Sequence, residues 1–464
     1  MHNRDNMLYG GNAGIGCGTL GNLAENKTIC FPRSIPSANN NSANLYHSEE
    51  AAQVKHKLLK MALLCGLPLI LSGCSDAIEP DTLGYVVALG IDKNETIEQG
   101  YNITIQFANP SKISGGSSEE GGKGGGDSIE NITVTAPGIY SAVNIANHII
   151  SKKFVLSHTK VIVFSEEVAR DGIKGLLETI GRSSDIRPNT YFAVSRGTAR
   201  KFLESVNPET EINPVRYYTM IFENDYSGFI PQNMSADFYF FCQSDEKCCA
   251  MPFCAVSGAE NTHEYTHSGY QYGVEDYTAG QIPSGSEQTQ VMGMGVFYGD
   301  KLVGEMGNIE TEMYNILTGQ YTNSYAVYRY SKSPENPITV IQKQKHRPKI
   351  SVDTSGDVPK IRAEIFIEGD FASSTPQMSV EDNLKDFSQE ATLELKAQIE
   401  DFLSQTQSIG TDIVGFGSYA KRNFKDIGAF SDYKWQEKYK NAQIDVTVNF
   451  SILRTGLVVR SDKK

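Results

Sequence analysis

Of the residues whose type and spacing could do chemistry, the strongest set is Leu71-Ser72-Gly73-Cys74. A cysteine thiol is a nucleophile, and Ser72 and Gly73 are small enough for a tight peptidase groove. Such a thiol could take a diacylglyceryl group, and cleavage before Cys74 would make the lipidated residue the new N-terminus. The run from Met61 to Leu71 is apolar and uncharged, and Lys55, Lys57 and Lys60 stand ahead of it. A basic n-region, a short apolar h-region and small residues at the cut describe an export signal. The run falls short of the roughly 20 residues that a bilayer span needs. A buried apolar helix ending at Ser-Gly is the plainer alternative, but charge order, length and cysteine position agree on a bacterial lipobox. Residues 54–73 are therefore read as a lipoprotein signal peptide and Cys74 as its lipidation site. Two acyl chains, at about 0.8 kcal/mol per buried methylene, anchor stably where one does not.

Other chemistry is weaker. His263-Glu-Tyr-Thr-His267 matches H-E-x-x-H, in which a helix turns both imidazoles to one zinc ion with the glutamate as base. Its flanks, Asn261-Thr262 and Ser268 to Gly273, read as loop or strand. On a strand that spacing covers about 13 Å, too far for one ion. Chance or surface histidines are the better reading. The cysteines Cys242, Cys248, Cys249 and Cys254 do not follow common zinc spacings, and disulfides, free buried thiols and a metal site all stay open. Gly115 to Gly126 is a flexible loop. It misses the P-loop pattern, with Ser117 where glycine is required and Gly124 after Lys123. There is no G-x-S-x-G elbow and no evident Cys–His pair. No catalytic residue, cofactor or metal ligand is assigned.

The elements that must position these residues follow from periodicity. Leu83 to Ile91 reads as a buried strand and Tyr101 to Phe107 as a half-buried one. Strands at 131–135, 159–164 and 190–194 alternate with helices: one after Pro137, one from Val168 to Ile180 interrupted at Gly172, and one from Gly197 to Val206. That alternation predicts a mixed sheet backed by helices. Asn207 to Gln290 is hard to read beyond short apolar elements at 217–222 and 238–241. Met292 to Glu305 predicts a tight hairpin turning at Gly299-Asp300, and Gly307 to Gly319 a short helix. Strands are predicted at 325–330, 338–342, 348–352 and 361–367. From about Val380, Leu384, Phe387, Ala391, Leu395, Ile399 and Phe402 form the apolar stripe of a long helix packed on a sheet. In Asp412-Ile-Val-Gly-Phe-Gly-Ser418 the glycines permit a turn or a close backbone approach, without nucleotide-binding context. Ile444 to Ile452 alternates as a closing strand.

The chain has 464 residues, with 39% hydrophobic and 21% charged. That suits a globular body of two or three domains. Its net charge of −13 argues against nucleic acid and against a polybasic membrane patch, so lipid must hold it down. No apolar run long enough to span a bilayer follows the signal. The expected divisions are 1–53, 54–73, 74–206, 207–290 (rich in Cys, Tyr and Gly) and 291–464. Residues 1–53 show no sustained periodicity and are read as a disordered extension or a start-site artefact, with translation beginning at Val54.

Leu83-Gly84, Leu89-Gly-Ile-Asp92, Tyr101-Asn-Ile-Thr-Ile-Gln106 and Asn109-Pro110 resemble the opening of the Ger(x)C family, the lipoprotein C subunits of nutrient germinant receptors in spore-forming bacteria. His158 to Val163, Asp185-Ile-Arg-Pro-Asn-Thr190, the 292–305 hairpin, Asp412 to Gly417, the aromatic stretch 433–439 with Trp435, and Arg454-Thr-Gly456 resemble later family stretches in order. The resemblance implies an α+β fold, a three-domain lipoprotein body in which each domain is a mixed sheet with packed helices. It implies a non-enzymatic receptor or scaffold component acting in nutrient-triggered germination. Its partners would be the A and B membrane subunits of the receptor. Its place would be the outer face of the inner spore membrane, held by an N-terminal diacylglyceryl cysteine. The alternative function is a solute-binding lipoprotein of an importer, which would need two like lobes; no internal repeat supplies them.

Overall fold

A computed structural model of the chain describes residues 54–61, 79, 82–96, 100–108, 129–207, 213–223, 226–259, 277–282, 288–331, 337–373 and 384–454. The chain divides into two units, residues 1–77 and 78–464. In the first, residues 54–61 form an exposed helix.

The second unit holds two sheets. The first contains β1 (Leu83–Lys93), β2 (Tyr101–Ala108), β3 (Ile129–Ala136), β4 (Lys153–Val155), β5 (Val161–Ser165), β6 (Tyr191–Ser195), β7 (Cys249–Val256), β8 (Thr289–Tyr298) and β9 (Lys301–Met306). Their order is β3-β2-β1-β5-β6-β7-β8-β9, with β4 also beside β1. The central strands β1, β5, β6 and β7 run parallel, and antiparallel pairs flank them. Parallel strands are covered on both faces, which is why β1 and β5 read as continuous apolar runs. Val86 to Leu89 and Val161 to Phe164 have no exposed surface.

Helices cover both faces. α1 (Ile139–Ile149), α2 (Glu166–Asp171), α3 (Lys174–Gly181) and α6 (Ser235–Phe241) share one core with the sheet. α4 (Ala199–Ser205) and α5 (Pro214–Phe222) share the other. Gly172, at φ +115°, breaks α2 from α3 where the sequence predicts an interruption.

The hard-to-read middle segment yields α5, α6 and β7. β7 was not legible as a strand because cysteines and Pro252 are weak strand signals. It nonetheless fills a central position, and a register shift between Pro252 and Cys254 accommodates the proline.

The second sheet has the order β10 (Asn323–Tyr328), β11 (Ile338–Asp353), β12 (Lys360–Ser373), β13 (Gln443–Arg454), with only β12 and β13 parallel. The strands predicted at 338–342 and 348–352 are one strand, β11. Register shifts around His346 let it continue, and Pro348 lies in the half that β10 does not pair, where a missing N–H costs little. α8 (Leu384–Ile409) packs its predicted stripe on this sheet; Phe387, Ala391, Leu395, Ile399 and Phe402 are fully buried. The hairpin turns at Gly299, as predicted.

α7 (Asn308–Thr318) touches β8, β11, β12 and α8. One core joins β8 and β9 of the first sheet, α7, α8 and the second sheet. The short helices α9 (Phe416–Ala420), α10 (Ile427–Tyr433) and α11 (Trp435–Tyr439) close the C-terminal half. The fold is α+β, mixed sheets with packed helices, and the described strands fall into two sheets.

Candidate functional site

The most completely built polar constellation surrounds Asp412. Its side chain is fully buried. Oδ1 accepts the backbone N–H groups of Gly415 at 2.8 Å and Phe416 at 3.1 Å. Oδ2 accepts from Gly417 N at 2.7 Å and from Trp435 Nε1 at 2.8 Å. Burial pushes the carboxyl up, and these four donors pull it back down. Successive N–H groups in such a turn can cradle a phosphate. Here the chain's own carboxylate takes them.

Both glycines are required. Gly415 adopts φ +90°, a conformation that side chains disfavour. A Cβ at Gly417 would lie 2.2 Å from the carbonyl oxygen of Glu246 and 2.6 Å from Trp435 Cδ1. The turn is thereby pressed against residues 245–248. Cys248 N donates to Asp412 O at 2.8 Å, Lys421 pairs with Glu246, and Ser431 hydrogen-bonds Asp245. The Lys247 ammonium lies 5.1 Å from the Phe241 ring centre and 5.7 Å from that of Tyr314. The arrangement locks the C-terminal loops to the segment leading into β7.

Two further buried networks cross between elements. Arg196, just after β6, pairs with Glu305 on β9 and donates to Thr278 Oγ1 at 3.1 Å and Ala279 O at 3.2 Å. Burial raises the Glu305 carboxyl, while the Arg196 charge opposes that rise. On α7, Glu312 accepts from Tyr321 OH and Gln342 Nε2, each at 2.9 Å, and from Ser324 Oγ. Glu310 accepts Gly307 N at 3.1 Å and Gln405 Nε2 at 3.2 Å. These charge-assisted hydrogen bonds tie α7 to β10, β11 and α8 of the second sheet's layer.

The N-terminal motifs are spent in the same way. Gly90 lets α4 approach, since a Cβ there would lie 2.9 Å from Leu203 Cδ1. Asp92 accepts Ala199 N at 2.7 Å and Arg200 N at 2.9 Å, capping α4. Gln106 donates to Leu203 O at 2.9 Å and accepts from Tyr218 OH. Thr190 Oγ1 donates to Thr159 O at 3.1 Å.

Clefts of about 340 and 190 Å³ lie at the carboxyl ends of the parallel strands, a usual place for ligands in such sheets. Asp92, Lys93 and Arg200 line the larger, and all three are engaged. Lys93 contacts Asp171 at 2.7 Å and Glu167 at 3.1 Å, and Arg200 contacts Glu204 at 2.7 Å.

Cys74 and its lipobox, the Gly115–Gly126 loop, and His263 and His267 lie outside the described residues. Cys242, Cys248, Cys249 and Cys254 are free thiols, the last three buried. Burial pushes Cys248 up to about 12. No group of three or more His, Cys, Asp or Glu residues among the described residues could hold a metal. No described helix is long and apolar enough to cross a membrane. The pairing of Asp412 with Trp435, and of Arg196 with Glu305, was not read from sequence. The one local signal was an aspartate placed shortly before two glycines.

Comparison with known proteins places this geometry. Residues 76–256 match the family model described as the spore germination protein N-terminal domain, and residues 292–456 match the model described as spore germination B3/GerAC like, C-terminal. Spore germination protein KC of Bacillus subtilis (strain 168) is 27% identical over 161 residues, 34% of this chain and 39% of that protein. The matches to it and to the putative spore germination protein YfkR (37% of its length) thus each span about two fifths of the relative. Spore germination protein YndF of the same strain is 22% identical over 430 residues, 88% of this chain and 99% of that one. Among solved structures, the crystal structure of the GerBC protein aligns with a TM-score of 0.47 and 15% identity, over 79% of this chain and 96% of that chain.

Proposed function

The chain belongs to the Ger(x)C family of spore germination proteins, and from that premise we propose that it is the lipid-anchored C subunit of a nutrient germinant receptor. The observation that carries the reading is order: both family domains follow Leu71-Ser72-Gly73-Cys74 in one chain. In this reading Cys74 bears a diacylglyceryl group on the outer face of the inner spore membrane. The body divides near residues 206 and 290, and the middle piece contributes β7 to the first sheet.

Its role is that of a non-enzymatic receptor component beside the A and B membrane subunits. The polar residues of the motifs at Asp92, Gln106, Thr190 and Asp412 support this, because each is engaged within the fold. Tethering adds to function without new contacts: confinement near membrane partners raises effective concentration.

Replacing Cys74 with alanine in the spore former tests the reading. The expected result is loss of the protein from the membrane fraction and a lost response to at least one nutrient. Unchanged fractionation with unchanged germination would overturn it.

A further inference from the structure

Leu83, where β1 begins, stands nine residues after Cys74. A fully extended chain of that length reaches about 30 Å. An anchor at Cys74 would therefore limit the amino end of β1 to within about 30 Å of the bilayer.

That end carries a basic rim. Leu83 is in parallel register with Lys153, the first residue of β4. Lys160 N donates to Val87 O, and Lys160 O accepts Tyr191 N, each at 2.8 Å, so Lys160 sits at the amino ends of β5 and β6. Arg187 lies in the turn that enters β6, its carbonyl accepting Thr190 N at 3.1 Å. The His158 ring meets Tyr85 of β1 edge-on at 5.1 Å. Burial, then the charges of Arg187 and Lys160, lower the His158 imidazole below its ordinary value, which marks a positive local field. Lys153 and Arg187 are exposed. Asn147 of α1 accepts Phe154 N at 3.0 Å, bringing the last turn of α1 to the same rim, where Ile149 is 64% exposed.

Over the whole chain acids outnumber bases, 55 to 42. In the rim segments themselves, 145–160 and 185–190, the order reverses: Lys152, Lys153, Lys160 and Arg187 stand with Asp185 as the acid, while Asp76, Glu79 and Asp81 of the linker and Glu130 at the start of β3 are the acids of the adjoining segments. The net charge that argued against a basic membrane patch is an average that conceals this edge.

We propose that Lys153, Lys160 and Arg187, with Ile149 as an apolar wedge, seat this rim on an anionic phospholipid bilayer. The proposal rests on the Cys74 anchor, and it adds orientation to attachment. The amino ends of the parallel strands face the lipid, and the carboxyl edge with its clefts faces away. Each basic side chain at an anionic surface favours the seated state about fivefold.

The test uses the full chain as a spore former produces it, on two kinds of vesicle, phosphatidylcholine alone or mixed with phosphatidylglycerol. Flotation reads the anchor, and amide hydrogen exchange over residues 145–160 and 185–190 reads the rim. The expected result is flotation on both vesicles, with exchange slowed about fivefold or more on the anionic ones only and restored by high salt. Lys153→Glu with Arg187→Glu should float equally and lose that protection. Flotation on both with identical exchange would overturn the seated rim and leave the anchor standing. Flotation on anionic vesicles alone, with no lipid adduct in the protein's mass, would overturn the anchor and leave the rim standing. Flotation on neither would overturn both.

Discussion

Trp435 Nε1 donates to Asp412 Oδ2 across 2.8 Å, and both side chains are fully buried. The bond joins the start of α11 to the turn before α9. Asp412→Asn puts an NH₂ where an oxygen accepted two donors, so buried N–H groups lose their partner. The expected loss is about 2–4 kcal/mol, seen as a lower urea midpoint. Trp435→Phe keeps the ring volume and removes one donor to a charged acceptor, for about 1.5–3 kcal/mol.

Gly417→Ala should be among the most damaging small substitutions in the C-terminal half. Its methyl would lie 2.2 Å from a backbone oxygen, which cannot yield as a side chain would. A loss of about 3 kcal/mol or more is expected in thermal or urea unfolding. Gly175→Ala is the control. It lies in the first turn of α3 with no heavy atom within 4 Å of a new Cβ, and should stabilise by about 0.5–1 kcal/mol.

Arg196→Met should cost about 3–5 kcal/mol, because it strands the buried Glu305 carboxylate. Combining it with Glu305→Leu should recover much of that loss, since neither charge then needs a partner. A double-mutant cycle in urea measures the coupling; simple additivity of the two losses would contradict the pairing.

Glu394 gives a pH signature. Burial, and to a lesser degree Glu390, push its carboxyl up to about 7 against the opposing pull of Arg329. The folded value lies above the ordinary 4.5, so the folded state binds this proton more tightly. Its stabilising effect is complete below about 4.5 and fades as pH rises through about 7. Discounted for partial exposure, it amounts to about 1–2 kcal/mol. Melting temperatures at pH 5 and pH 8 should converge in Glu394→Gln relative to the parent protein.

The predictions differ in how far their residues could be seen in advance. The α8 stripe, the 292–305 hairpin, the doubly buried β1 and the alternation of β13 were legible because each is a repeat within one element. The helix break at Gly172 was legible for the same reason. β7 was not, since its place between β6 and β8 comes from neighbours and not from its own residue types. The continuity of β11 through Lys343 to Pro348 was hidden by a charged run that reads as a break.

Sequence by itself determined the local periods, the family motifs and their order, and the expectation of an anchor at Cys74. Only the tertiary structure decided what the motif residues touch. Asp412 meets Trp435, 23 positions on, and Arg196 meets Glu305, 109 positions on. Periodicity is set by neighbours along the chain. The partner of a buried charge is set by which distant segments close around it, and burial makes that choice exacting because an unpaired charge there is costly.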